Sequence, residues 1–179
     1  GMTGSGKSTV GRHLAQRLGV PFMVLDHQLV QVLKTSIRQF FEAEGEARFR
    51  DIEAQVLAKV TARHGGMVLS TGGGAVLRPE NRQVLRDFGN VLYLRASPEE
   101  IFKRVKHDRT RPLLQVSNPL QKLRELYAQR DALYREAATY VIETGRPTVQ
   151  TLVNMIMMQL EMAPPPAAPA SPSEALSKQ

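Results

Sequence analysis

The chain has 179 residues, a net charge of +7, 42% hydrophobic content and no cysteine. That length supports one well-buried domain, and the lack of cysteine excludes disulfides, zinc–thiolate sites and a cysteine nucleophile. No apolar run approaches the 18 or so residues of a membrane span, and no signal peptide is visible, so a cytoplasmic protein is expected. Aromatics are only 6% and tryptophan is absent. With basic residues spread along the chain rather than interleaved with aromatics, the charge points to anionic small molecules and not to nucleic acid.

The first ten residues, GMTGSGKSTV, match the phosphate-loop pattern G-x-x-x-x-G-K-[ST] from Gly1 to Ser8. Gly1, Gly4 and Gly6 allow backbone amides to converge on phosphate oxygens, Lys7 supplies a mobile positive charge, and the Ser8 hydroxyl can ligate Mg²⁺. Val10, Leu14 and Leu18 recur at helical spacing up to Gly19, which sets the amino end of a helix against the phosphates. A phosphate loop normally follows a buried strand. None precedes Gly1, so a first strand shortened by about five to ten residues is expected.

Strands are predicted at VPFMVL (20–25), GMVLS (66–70), VLYLRA (91–96) and TYVIE (139–143). Helices are predicted at HQLVQVL (27–33) and over 36–65, the latter broken near Gly45. Ser97-Pro98-Glu99-Glu100 is a capping-box start, and Val149, Leu152, Val153, Ile156 and Leu160 form the apolar stripe of a last helix. The methionines at 155, 157, 158 and 162 are expected to fill the core. Residues 163–179, with five of the eleven prolines, are predicted to be a disordered tail. One folded domain of α/β class is thus expected at 1–162, with a mobile lid at about 107–118.

Four stretches carry substrate chemistry. Asp26 follows the first visible strand, where α/β sheets bind ligands, although a helix N-cap would also explain it. Arg50 and Glu53, three apart in FRDIE, share a helix face. STGGGAV (70–76) puts three consecutive glycines after a strand, freeing backbone amides for close approach. DRTRPLL (108–114) reads as a lid carrying Arg111, and Arg130 in YAQRDALY is suited to clamping a carboxylate.

Together, GSGKST, FRDIE, TGGGAV, RPLL and QRDALY make the sequence from Gly1 to about Glu161 resemble the shikimate kinases, small P-loop kinases of aromatic amino-acid biosynthesis. The resemblance implies a nucleoside-monophosphate-kinase-like fold, a three-layer α/β/α P-loop NTPase with a five-stranded parallel sheet. The implied reaction moves the ATP γ-phosphate to the 3-hydroxyl of shikimate, giving shikimate 3-phosphate and ADP, with Mg²⁺ and as a monomer. It implies catalytic roles for Lys7, Asp26 and Arg111. Nucleotide contacts fall to Gly4, Ser5, Gly6, Lys7, Ser8, Thr9, Arg104, Arg111 and Arg146, with Ser8 on the metal. Shikimate contacts fall to Asp26, Arg50, Gly72, Gly73, Gly74 and Arg130, with Glu53 orienting Arg50. One departure stands out: family members usually end this strand in Asp-x-Asp, and here it reads Val24-Leu25-Asp26. The first carboxylate, which in the family helps hold the metal's water shell, is missing. Two alternatives stay open: a ligand-sensing domain with impaired catalysis, and a P-loop kinase of another small metabolite.

Overall fold

The computed structural model describes residues 1–63, 65–109 and 115–162. Arg111 and the middle of the expected lid, and the expected disordered tail, lie outside these residues.

The chain enters through the glycine loop into α1 (Lys7–Leu18), then β1 (Phe22–Val24) and α2 (Leu25–Leu33). α3 (Ile37–Glu44) and α4 (Glu46–Thr61) are two helices where the sequence suggests one broken helix. The break falls on Gly45, whose φ of 84° no helix can contain. β2 (Val68–Ser70) leads through a 3₁₀ turn (Ala75–Leu77) into α5 (Pro79–Phe88) and β3 (Leu92–Arg95). α6 (Pro98–Val105), α7 (Pro119–Ala137), β4 (Tyr140–Glu143) and α8 (Val149–Met162) complete the order. At α6 the expected capping box is formed in both directions. Ser97 Oγ accepts from the Glu100 amide at 3.2 Å, and Glu100 Oε2 accepts from the Ser97 amide at 3.0 Å.

Four of the five expected strands occur among the described residues, in two parallel pairs. Phe22 aligns with Val68 in one, and Leu92 with Tyr140 in the other. Between β2 and β3 there is no ladder. A slot takes its place, made of cavities of about 90 and 320 Å³ lined by Val68 and Leu69 of β2, Leu92 of β3 and Leu14 of α1. Gly1, Ser70 and Leu94 line one end of the slot, and Gly66, Asn90 and Val91 the other, so β2 and β3 run in the same direction.

Apolar side chains pack on both faces of these strands. Val10 and Leu14 of α1 meet Leu152, Val153 and Ile156 of α8 over β3 and β4. Leu25, Leu29, Phe49, Leu57 and Leu85 gather under β1 and β2. Tyr93, Ile101, Leu123 and Tyr134 join α6 and α7 to β3. At the α1–β1 crossing a Cβ on Gly11 would stand 2.7 Å from the Phe22 ring, so only glycine permits this approach. One expectation is corrected. Met155, Met158 and Met162 face outward, and only Met157 of that group packs against the core, because the helix stripe already supplies its buried face.

Candidate active site

The glycine loop gives α1 an open amino end. Its N-cap is Gly6 (φ 93°), preceded by Gly4 (φ 77°), so no cap side chain takes the first-turn amides, and no acid lies in that turn. Those amides, with the helix dipole behind them, face a cavity of about 250 Å³ shared by the loop, Asp26, Ser70, Thr71 and Gly72. Lys7 Nζ donates to the Gly1 carbonyl at 2.7 Å and the Met2 carbonyl at 3.0 Å, across the top of the loop. Ser8 and Thr9 are exposed at the cavity edge, while Ser5 is buried, its Oγ without a hydrogen-bond partner. The geometry fits a polyphosphate.

The donor set also fits Mg²⁺, which takes hard oxygen ligands and keeps several waters. Ser8, Ser70, Thr71 and Asp26 bring oxygens to this cavity. Val24 lines it as well and offers none, so the residue expected to be unusual does sit beside the phosphate loop. Among the described residues no group of three His, Cys, Asp or Glu side chains could cage a metal unaided.

On the facing wall, α2 begins at Leu25 with Val24 as its N-cap and no side-chain cap bond. Asp26 is therefore not the cap. It lies one residue inside the first turn, with its carboxylate against Gly72. Arg50 donates from Nη1 to Glu53 Oε1 at 2.9 Å, reaches Glu46 at 3.4 Å, and lies over the Phe49 and Phe41 rings at 5.2 and 5.9 Å. Glu53 is 1% exposed, and burial raises its carboxyl pKa while the adjacent Arg50 guanidinium pulls it back. Nε of Arg50 and Nε of Arg130 are both buried without a hydrogen-bond partner.

None of the three glycines has a left-handed backbone, and lack of space explains Gly74 and bears on Gly72, while the neighbours of Gly73 lie at ordinary contact distance. Each stands against one functional side chain. A Cβ on Gly72 would lie 3.1 Å from Asp26 Oδ1, and one on Gly73 would lie 3.5 Å from Arg130 Nη1. On Gly74 it would fall inside the Arg50 guanidinium. Gly74→Ala is thus expected to push Arg50 off Glu53 and lose a charge-assisted hydrogen bond. That is worth about 1.5–3 kcal/mol, or roughly a 10- to 100-fold rise in KM for the anionic acceptor, with KM for ATP as the internal reference.

Arg104 ties the glycine loop to the segment after β4. One Nη donates to the Ser5 carbonyl at 3.4 Å, and the other to the carbonyl of Thr144, just past β4. Arg146 follows two residues later, exposed on the same loop. Two features escaped the sequence reading. Phe41 and Phe49 stack on Arg50, for which the Phe49-Arg50 adjacency was a weak signal. Tyr134 donates to the Gly73 carbonyl at 2.6 Å, and its place four residues after Arg130 was the cue.

A phosphate loop on one wall of the cavity, with Asp26 and a glycine triplet backed by Arg50 and Arg130 on the other, puts this fold in the class of P-loop kinases acting on small anionic acceptors. The sequence profile of the shikimate kinases matches residues 3–161. The chain is 54% identical to the shikimate kinase of Ralstonia nicotianae over all of its own length and 95% of that protein, and 58% identical to that of Paracidovorax citrulli over 91% and 90%. The structure of a shikimate kinase from Acinetobacter baumannii in complex with shikimate superposes with a TM-score of 0.84 at 45% identity, covering 90% of this chain and 89% of that one. The chain belongs to the shikimate kinase family, and its activity is ATP-dependent phosphorylation of shikimate with Mg²⁺.

Proposed function

We propose that Asp26 aligns the 3-hydroxyl of shikimate and receives its proton, while Arg50 and Arg130 hold the carboxylate and Gly72, Gly73 and Gly74 form the floor beneath the ring. The reading is carried by one observation: Asp26, Arg130 and Arg50 converge on three successive glycines, with no room for a Cβ beside Arg50 at Gly74 and little beside Asp26 at Gly72. The planar donor forks of Arg50 and Arg130 suit a bidentate acceptor such as a carboxylate. On the donor side, the loop amides of Gly4, Ser5 and Gly6 and the Lys7 ammonium bind the phosphates, Thr9 adds a hydroxyl, and Arg104 and Arg146 flank the base. When bound, ATP supplies the phosphoryl group and Mg²⁺, held by Ser8, neutralises charge on it. Arg111, outside the described residues, is assigned to the lid over the transferring group. The reading is completed by a monomer built of a single kinase domain at 1–162 and working in the cytoplasm.

The test is shikimate-dependent ADP release over a Mg²⁺ titration, beside Val24→Asp. The chain is expected to turn over only with shikimate present. Val24→Asp should lower the Mg²⁺ needed for half-maximal rate about tenfold, the usual scale for an outer-shell metal contact. A chain that binds both ligands yet stays silent until Val24 becomes Asp would instead favour the ligand-sensing alternative.

A further inference from the structure

Tyr134 has none of the roles assigned so far, yet it is the polar side chain that ties the acceptor floor to α7. It is 3% exposed, and its ring lies 4.9 Å from that of Tyr93 in the cluster joining α6, α7 and β3. Its phenol donates to the Gly73 carbonyl at 2.6 Å. Burial raises its pKa, so the phenol stays a protonated donor. At Gly73 the phenol oxygen and Arg130 Nη1 stand side by side, 3.4 and 3.5 Å from where a Cβ would be. Tyr134 lies one helical turn beyond Arg130, so both side chains reach the loop from the same face of α7.

We propose that Tyr134 is a positioning residue for the acceptor substrate: its hydroxyl clamps Gly73 to α7, fixing the spacing between the glycine floor and the Arg130 guanidinium. The proposal rests on the reading that Gly73 and Arg130 contact shikimate. Without the hydroxyl, the half-buried Gly73 carbonyl loses its partner, the loop slackens and Arg130 gains freedom. Gly73 meets the phosphate loop at the Gly1 carbonyl and not at a phosphate-facing amide, so the loss falls chiefly on the acceptor.

The experiment is Tyr134→Phe in the full chain, which keeps the ring and its packing on Tyr93. Tyr93→Phe serves as the reference, since it removes a buried hydroxyl from the same cluster, one bonded to Asp131 at 2.7 Å and not to the glycine loop. Tyr134→Phe is expected to raise KM for shikimate about tenfold, the scale of one hydrogen bond, and to leave KM for ATP where it was. Tyr93→Phe should cost thermal stability without that asymmetry. In an Arg130→Lys background the effect of Tyr134→Phe on shikimate KM should largely vanish, because both changes act through the same guanidinium. The inference is overturned if Tyr134→Phe lowers the melting temperature but moves both KM values together, or if its effect adds undiminished to that of Arg130→Lys. If Arg130→Lys alone leaves shikimate KM unchanged, the assignment of Arg130 fails and this inference falls with it.

Discussion

Asp26→Asn is expected to lower kcat for shikimate phosphorylation by about a hundredfold, within the 10²–10⁴ range of a positioned general base. The substitution keeps the shape of the side chain and so its fit against Gly72, where a Cβ would come within 3.1 Å of Oδ1. It removes the acceptor for the hydroxyl proton while leaving Lys7 and the loop amides untouched. KM for ATP should therefore stay within about twofold. The competing account makes Asp26 an ordinary first-turn acid of α2 that interacts with the helix dipole. That interaction is worth about 0.3–1 kcal/mol of stability and nothing in turnover. Rapid-quench or coupled measurement of ADP release separates the two, since a small loss of melting temperature with unchanged kcat would leave the dipole role alone.

The second large effect concerns the slot between β2 and β3. Fusing about five extended, mainly β-branched residues ahead of Gly1 should raise the melting temperature by about 10 °C. Such a segment can form ladders with both neighbouring strands, at about 1 kcal/mol net per bond, and bury alternate side chains against Leu14, Val68 and Leu92. Against this stands about 1–2 kcal/mol of backbone entropy per ordered residue. The balance is about 4 kcal/mol, and at 2–4 °C per kcal/mol for a chain of this size the shift follows. Thermal unfolding of the extended and unextended chains, with a Gly/Ser extension of equal length as control, measures the effect. An equal melting temperature for all three would mean that the slot does not admit a strand. Because the slot ends at Gly1 and the phosphate loop, tighter nucleotide binding should accompany the gain in stability.

The phosphate loop, the Gly45 break, the α6 capping box and all four strands were legible in the sequence because each is a local device. A glycine that must turn left-handed, a serine and glutamate three apart, or a short apolar run bounded by turn residues needs no partner from elsewhere to reveal itself. The α8 stripe was legible for the same reason. Its methionines were misjudged because periodicity says which face is apolar but not how much of it the rest of the fold covers. Asp26 alone was ambiguous between cap and ligand, and the backbone of α2, which caps on Val24, removes the cap.

What only the tertiary structure decided is why those particular residues make a site. Sequence could name three glycines as costly, Arg50 as paired with Glu53 on a helix face and Arg130 as suited to clamping a carboxylate. It could not show that Asp26, Arg130 and Arg50 stand against Gly72, Gly73 and Gly74, with no room for a Cβ at Gly74 and little at Gly72, as these groups come from α2, α7 and α4, more than twenty residues apart along the chain. The same holds for Tyr134 on Gly73, Phe41 and Phe49 under Arg50, and Val24 beside the phosphate loop. Chemistry that depends on residue type and short spacing is written in the order of the chain. Chemistry that depends on excluded volume and converging side chains exists only once the packed sheet and helices have brought distant segments within a few ångströms of each other.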